Sequence, residues 1–148
     1  MHGIRMVKKK VKHTLELEAD YDYEMIGLCS HHNDYRIIWG INELLNIQLE
    51  KKEGNFIIST PKGIISEHPY YEFNDVENFL SFFFIKNKYE GKFLIPEQKQ
   101  IDYFLFILNN NLYNISSVIQ KIKTLPTILA AFEFDPIEFN STEYLIFE

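Results

Sequence analysis

The segment that most constrains how this chain can fold is residues 102–108, Asp-Tyr-Phe-Leu-Phe-Ile-Leu. Its apolar residues are continuous rather than alternating, which is typical of a strand covered on both sides of a sheet. We therefore expect a buried central strand. Residues 109–111 are three asparagines and predict a loop. An amphipathic stripe then predicts a helix; its members are Ile115, Val118, Ile119, Ile122 and Leu125.

The residues that flank this helix set its ends. Asn114 is placed to cap its first turn, and the helix should end before Pro126. Residues 127–134 predict another strand, which Asp135-Pro136 ends. Because the helix is long enough to cross over the sheet, we expect parallel strands on either side of it and a right-handed connection. The C-terminal third is thus a predicted strand–helix–strand unit.

The first third of the chain carries shorter patterns. Residues 11–18 alternate, with Val11, His13, Leu15 and Leu17 on one side, and predict a half-buried strand. Residues 20–30 fit either a strand or a short helix, and we favour the short helix. Asn33 or Asp34 is then placed to cap a longer helix that ends near Asn46. The apolar stripe of that helix is Ile37, Ile38, Ile41, Leu44 and Leu45.

The middle of the chain predicts antiparallel hairpins. Glu53-Gly54 and Pro61-Lys62-Gly63 are turn signals, and Gly91 breaks the chain again. The strands predicted outside the C-terminal unit are residues 47–53, 55–60, 70–73, 78–86, 92–95 and, at an edge, 143–147. We therefore expect an α+β fold: a mixed, mostly antiparallel sheet with two main helices packed on one face and the strand–helix–strand unit at the C-terminus.

Charge bears on domain organisation and on the class of partner. The 148 residues suit one domain, and a net charge of −6 argues against broad binding of nucleic acid or anionic membrane. Basic residues concentrate near the start of the chain: Arg5, Lys8, Lys9, Lys10 and Lys12. We expect residues 1–10 to be a basic, flexible N-terminus and residues 11–148 to be a single domain.

Cysteine content and apolar runs bear on localisation. Cys29 is the single cysteine, so an internal disulfide is impossible and the cytoplasm is the expected compartment. Lys8 to Lys12 are not followed by the apolar stretch of a signal peptide. The longest apolar runs are far too short to cross a bilayer, so we expect no membrane partner.

Residue types that carry chemistry occur without the usual spacings. The sequence contains no GxGxxG, GxxxxGK[ST], GxSxG or HExxH pattern, so we expect no cofactor. The segment Cys29-Ser30-His31-His32-Asn33-Asp34 could bind a metal or supply a Cys–His pair, but it matches no common zinc spacing. We interpret it as a polar turn before the helix, and we expect no metal site.

Two aromatic clusters allow two interpretations. Tyr70-Tyr71 and Phe82-Phe83-Phe84 could stack nucleic-acid bases on a sheet surface. Basic residues are not interleaved with them beyond Lys86 and Lys88. Core or interface packing is therefore the interpretation that we favour.

The segment Ile95-Pro96-Glu97-Gln98-Lys99-Gln100-Ile101-Asp102-Tyr103 resembles the motif of the IPExxxVDY family, with Ile101 in place of the valine. The similarity extends over nearly the whole chain, through Ile26-Gly27-Leu28, Asp34-Tyr35-Arg36, Trp39, Asn42, Phe93-Leu94 and Leu129 to Phe132. The resemblance implies an origin in bacteria of the Bacteroidetes type. It implies no activity and no catalytic residues, because none is assigned to the family.

Three functions remain open on the sequence. The favoured one is a non-enzymatic protein-binding or regulatory module that contacts another protein or a second copy of itself. Its candidate interaction residues are Ile95, Pro96, Glu97, Asp102 and Tyr103. The second is an RNA- or ribosome-associated protein that uses Lys8, Lys9, Lys10 and Lys12. The third is a small enzyme with a carboxylate site at Glu97 and Asp102.

Overall fold

A computed structural model describes residues 21–147 of the chain. In chain order its elements are β1 (Tyr23–Cys29), α1 (Asp34–Leu45), β2 (Glu50–Thr60), β3 (Gly63–Asp75), β4 (Leu80–Lys86), β5 (Lys88–Tyr89), β6 (Lys92–Phe93), β7 (Tyr103–Leu108), α2 (Ile115–Ile122) and β8 (Ala130–Phe134). Short 3-10 helices occupy Pro96–Gln98, Pro136–Glu138 and Ser141–Tyr144. The strand predicted at residues 11–18 and the N-terminus predicted at residues 1–10 lie outside the described residues.

Six strands form one sheet in the order β2-β3-β4-β7-β1-β8, and every neighbouring pair is antiparallel. The short strands β5 and β6 form a separate hairpin. With the two helices beside it, this sheet confirms the predicted α+β class. The apolar run at residues 102–108 is the central strand β7, paired with β4 on one side and β1 on the other.

The C-terminal strand–helix–strand unit is also confirmed, although its strands do not touch. β1 lies between β7 and β8 and is antiparallel to both, so β7 and β8 are parallel to one another. Helix α2 connects them and begins where expected, because the side chain of Asn114 accepts a 3.0 Å hydrogen bond from the Ser117 amide.

The sheet has an apolar cluster on each face. On the first face, both helices pack against β1, β4 and β7, which confirms the predicted layering. The strand residues in this cluster include Ile26, Leu28, Phe82, Phe84, Leu105 and Ile107. On the second face, no helix longer than a 3-10 turn is present among residues 21–147. That face is covered by the motif segment (residues 95–103) and by the C-terminal segment (residues 135–147).

Two predictions near the ends of the chain are wrong. Residues 23–29 are strand β1 and not a short helix. Met25 to Leu28 are all buried, so the middle of this strand does not alternate between buried and exposed residues. Residues 143–147 do not form an edge strand. The 3-10 helix Ser141–Tyr144 turns the chain there and directs Leu145 onto the second face.

The hairpin predicted at Glu53-Gly54 is wrong as well. Residues 50–60 form the single strand β2, and the pairing with β3 shifts register between Lys51 and Asn55. The shift takes up two extra residues of β2 without reversing the chain, so Gly54 marks an irregularity and not a turn. The turn predicted at Pro61-Lys62-Gly63 is confirmed between β2 and β3, with Gly63 at a φ of 125°.

The longer helix predicted to begin at Asn33 or Asp34 is confirmed as α1, with a small difference at its cap. Helix α1 begins after Asn33, whose side chain makes no capping bond; Asp34 Oδ1 instead accepts from the Tyr35 amide at 2.7 Å. The helix ends at Asn46, which adopts a left-handed conformation. Between residues 21 and 147, no helix is long and apolar enough to span a membrane.

Candidate functional site

The motif segment is a bend organised around Asn87, a residue that lies outside it. The Asn87 side chain is fully buried. Its Nδ2 donates to the carbonyl oxygens of Gln98 and Ile101 at 2.9 and 2.8 Å, and its Oδ1 accepts from the Ile95 amide at 2.9 Å. A buried amide that satisfies three backbone groups fixes their relative positions. The sequence pattern gave no sign of this role, because the partners are 8 to 14 positions away along the chain.

Glu97 connects the motif segment to the C-terminal segment. One carboxylate oxygen accepts from the amides of Asn140 and Ser141 at 3.0 and 3.2 Å, and the other accepts from the Ser141 hydroxyl at 2.6 Å. Burial alone would raise the pKa of this carboxyl. The hydrogen bonds from Ser141 and Asn140 favour the ionised form and lower the pKa below its ordinary value. Glu97 thus caps the 3-10 helix Ser141–Tyr144.

Asp102 secures a different junction. Its Oδ2 accepts from the Ser30 amide at 2.9 Å, just after β1 ends. The Ser30 hydroxyl in turn donates to the carbonyl of Thr127 at 2.5 Å. The two motif carboxylates therefore hold separate loops. Glu97 accepts two backbone amides and Asp102 accepts one, which is a structural role for both side chains.

The other predicted residues of the motif differ in their accessibility. Ile95 and Tyr103 are buried, whereas Pro96 is exposed. The Tyr103 ring stacks on Phe84 at 4.9 Å, and its hydroxyl donates to the His32 carbonyl at 3.3 Å. Only Pro96 and the two carboxylates of this set are open to a partner at the surface.

The Cys29–Asp34 cluster is a turn whose side chains point to different places. His31 and His32 are exposed, and the Cys29 thiol donates to the Gln100 carbonyl at 3.6 Å. Burial, and then the charge of Asp102, raise the pKa of that thiol, which disfavours the thiolate that a nucleophile requires. No three His, Cys, Asp or Glu side chains of residues 21–147 are grouped so as to hold a metal ion.

Asp34 lies beside two tyrosines at the start of α1. Burial and the negative charge of Asp34 raise the pKa of both Tyr71 and Tyr103 to about 12. The phenols therefore stay protonated and serve as hydrogen-bond donors. This arrangement stabilises the join between α1 and the sheet; it activates neither tyrosine as a base.

The aromatic clusters predicted either to stack bases or to pack are mostly in the core. Phe82, Phe83 and Phe84 are at most 3% exposed, and Tyr71 is also buried. The partly exposed Tyr70 stacks on Phe83 with a 6.0 Å separation of the ring centroids. These rings are therefore not available as a platform for bases.

The largest aromatic side chain is instead displayed on the outside of α1. Trp39, the single tryptophan, is 70% exposed, and Tyr35 one turn earlier is 61% exposed. Arg36, also exposed, lies three positions before Trp39 and so on the same side of the helix. We call Tyr35, Arg36 and Trp39 the α1 face. The helical stripe of the sequence already placed all three outside the core, although it did not identify them as a site.

A cleft of about 720 Å³ opens at the other end of β1, next to the start of the described residues. Five carboxylates line it: Asp22, Glu24, Glu133, Asp135 and Glu138. Burial, with the charge of Glu133 as a lesser cause, raises the pKa of Glu24. None of the residues predicted from the motif, from the Cys29–Asp34 cluster or from the aromatic clusters lines this cleft.

The lysines predicted to contact RNA, Lys8, Lys9, Lys10 and Lys12, lie outside the described residues. No protein-family model and no curated protein matches the chain. The resemblance to the IPExxxVDY family therefore stays a prediction, and the candidate site is defined by geometry alone.

Proposed function

We propose that this chain is a non-enzymatic protein-binding module whose partner docks on the α1 face. The observation that carries the proposal is the 70% exposure of Trp39 on a regular helix. Trp, Tyr and Arg are the residue types most enriched where a few side chains dominate the energy of an interface. All three occur here within two turns of one helix.

Tyr35, Arg36 and Trp39 are not part of the apolar core. The opposite side of α1 already buries five residues: Ile37, Ile38, Gly40, Ile41 and Leu45. Exposing an indole leaves a large apolar surface in water, and burying it against a partner would recover that hydrophobic free energy. Tyr35 and Trp39, four positions apart, are neighbours on the helix surface and extend the same apolar area.

Helix α1 presents this face from a rigid support. The Asn42 side chain donates to the Leu49 carbonyl at 3.2 Å and accepts from its amide at 2.9 Å, which fixes the chain after the helix. Gly40 allows close packing, since a Cβ there would lie 3.3 Å from a methyl carbon of Leu125. A preorganised helix loses little conformational entropy on binding.

The chemistry of the α1 face indicates the partner's complementary surface. An apolar pocket would take the Trp39 indole, and a carboxylate at its rim would pair with the Arg36 guanidinium. We further propose that the protein acts in the bacterial cytoplasm; its single cysteine supports a reducing compartment.

The test is affinity capture from the native host, with mass spectrometry, using the native chain and Trp39→Ala. We expect Trp39→Ala to lose one or more partners while its melting temperature stays that of the native chain. Val76→Ala is the matched control, because Val76 is 79% exposed at a different surface. The single tryptophan offers a second measurement: its fluorescence should shift to shorter wavelength when the purified partner binds.

Three outcomes would count against this function. One is an identical set of captured proteins for the native chain and Trp39→Ala. Another is a partner lost equally with Val76→Ala. The third is a tryptophan emission that does not change on binding. No specific observation favours the two other functions. The lysines of the RNA-binding hypothesis lie outside the described residues, and the carboxylates of the enzyme hypothesis, Glu97 and Asp102, accept hydrogen bonds from backbone amides.

A further inference from the structure

Two exposed lysines from different parts of the chain share one half-buried aromatic ring. The Lys88 ammonium lies 5.8 Å from the centroid of the Phe93 ring, and the Lys99 ammonium lies 5.6 Å from the same centroid. Both distances are within the range of a cation–π contact. The two positive charges are therefore at most about 11 Å apart. That separation is close to the Debye length at roughly 0.1 M salt, so their mutual repulsion is only partly screened.

The positive charge of this pair is not neutralised by an ion pair within residues 21–147. Beyond their contacts with the ring, neither lysine has an electrostatic partner in the part of the chain that the structure describes. Glu97, two positions before Lys99, accepts hydrogen bonds from Asn140 and Ser141 instead. The pair is thus a local concentration of positive charge on a protein whose net charge is −6.

The backbone around both lysines is held by one buried residue, Asn87. Lys88 follows Asn87 directly in the chain. The Asn87 side chain donates to the carbonyls of Gln98 and Ile101, which lie on either side of Lys99 in the sequence. The two lysines therefore start from fixed backbone positions, which reduces the entropy lost when they bind a common ligand.

The β5–β6 hairpin separates a third exposed lysine from this pair. Lys88 is paired with Phe93, and Tyr89 is paired with Lys92. Because successive side chains of a strand point to opposite sides, Lys92 lies on the other side of the hairpin from Phe93. The turn, Glu90-Gly91, has a positive φ at both residues, as a tight two-residue turn requires. Lys92 therefore has the same charge as the two lysines of the pair but a different position.

We propose that Lys88 and Lys99 form a binding site for a phosphate monoester on a side chain of a partner protein, a site separate from the α1 face. A phosphate monoester carries a charge of about −1.5 to −2 at neutral pH and has three acceptor oxygens. It therefore matches two ammonium groups better than a single carboxylate does. Lysine binds phosphate as a point charge, so the two side chains need proximity and not the planar geometry of arginine.

The surroundings of the pair favour a group displayed by a protein. Small-molecule sites are usually concave and enclose most of the ligand, whereas both lysines are exposed and neither lines the cleft at the other end of β1. A nucleic acid fits less well. A base stacked on Phe93 would compete with the ammonium groups that lie over its ring, and the net charge of −6 opposes a long polyanion.

Titration of the full chain with N-acetyl-O-phosphoserine amide, followed by amide chemical shifts in NMR spectra, tests the site. Saturating shifts should occur at Lys88, Phe93 and Lys99, and N-acetylserine amide should cause none. Lys88→Gln and Lys99→Gln should each raise the dissociation constant about fivefold, because each removes one charge of the pair. Lys92→Gln is the matched control. It changes the net charge equally and should raise the constant less than about twofold.

Equal effects of Lys88→Gln and Lys92→Gln would overturn the proposal, because they would show a response to net charge alone. An absence of saturating shifts with the phosphoserine probe would overturn it as well. If pentauridylate, a short single-stranded RNA, binds through the same two lysines more tightly than the phosphoserine probe, the site belongs to a nucleic acid. Trp39→Ala should leave phosphoserine binding unchanged, so a failure of this site is distinguishable from a failure of the α1 face.

Affinity capture from the native host, with and without phosphatase treatment of the extract, tests the source of the phosphate. A protein that binds through this site should be lost after phosphatase treatment and lost equally when Lys88→Gln and Lys99→Gln are combined. If the phosphoserine probe binds through the two lysines but phosphatase changes no captured protein, the phosphate belongs to a small molecule and the protein partner is wrong.

Discussion

The carboxylate of Glu97 accepts a 2.6 Å hydrogen bond from the hydroxyl of Ser141, 44 positions further along the chain. This contact joins the motif segment to the segment that covers the second face of the sheet. Phe139 and Leu145, on either side of Ser141, are both buried in the apolar cluster of that face. The motif segment therefore helps to hold the C-terminal segment against the sheet.

Glu97→Ala should lower the free energy of unfolding by about 1 kcal/mol, because it removes a cap that satisfies two amides and a hydroxyl. Ser141→Ala should cost less, since it removes only the hydroxyl. The double variant should cost less than the sum of the two, because both act on one contact. Urea denaturation of the three variants measures this.

Glu97 also predicts a pH dependence. Its pKa is lower in the folded state than in the unfolded chain, so its stabilisation is complete above the ordinary carboxyl pKa and is lost as pH falls through the folded value. Glu97→Gln should remove that part of the acid sensitivity.

If Glu97→Ala instead leaves stability unchanged and abolishes partner capture, the motif segment is the binding surface and the α1 face is not.

Asn87→Ala should be the most damaging single change near the motif. It would leave the buried Ile95 amide, the buried Ile101 carbonyl and the partly buried Gln98 carbonyl without their side-chain partner, at a cost on the order of 3 kcal/mol. Thermal unfolding by circular dichroism measures the loss. Asn55→Ala is the control, since Asn55 makes one side-chain bond at the surface. Equal losses for the two variants would contradict the organising role of Asn87.

His68 should make the fold sensitive to mild acid. The side chain is fully buried, and burial lowers its pKa from 6.5 to about 4, against the opposing effects of a backbone hydrogen bond and Glu67. Between pH 6.5 and pH 4 the unfolded chain binds a proton on His68 that the folded chain does not bind. The free energy of unfolding should therefore have its full value above pH 6.5 and decrease as the pH falls toward 4. His68→Gln should flatten this decline in urea titrations over that interval. An unchanged slope would show that other groups cause it.

Phe79→Gly should stabilise the protein, which is unusual for the loss of a phenylalanine. Phe79 has a φ of 58° and is 79% exposed, so its side chain strains the backbone and buries little apolar surface. Glycine adopts this conformation freely, and we expect a gain of roughly 0.5–1 kcal/mol. Phe79→Ala keeps the Cβ and should show no such gain. A glycine variant that melts below the alanine variant would contradict the strain.

Local patterns were sufficient for the elements that bury one side only. The stripe from Ile37 to Leu45 determines which face of α1 meets the sheet, and Asn114 determines where α2 begins. These features depend on neighbours within a few positions. The pattern of strand β1 was ambiguous, because Met25 to Leu28 are all buried and apolar residues there do not alternate with polar ones.

The sequence by itself determined the α+β class, the two main helices, the central strand and the strand–helix–strand unit, because their signals are periodic and local. Only the tertiary structure decided which groups complete the motif and which surface is left free. Asn87, Ser141 and Ser30 act on residues 8 to 72 positions away. Such pairings depend on how strands are ordered in space, which no local period encodes. The exposure of Trp39 follows from the same ordering.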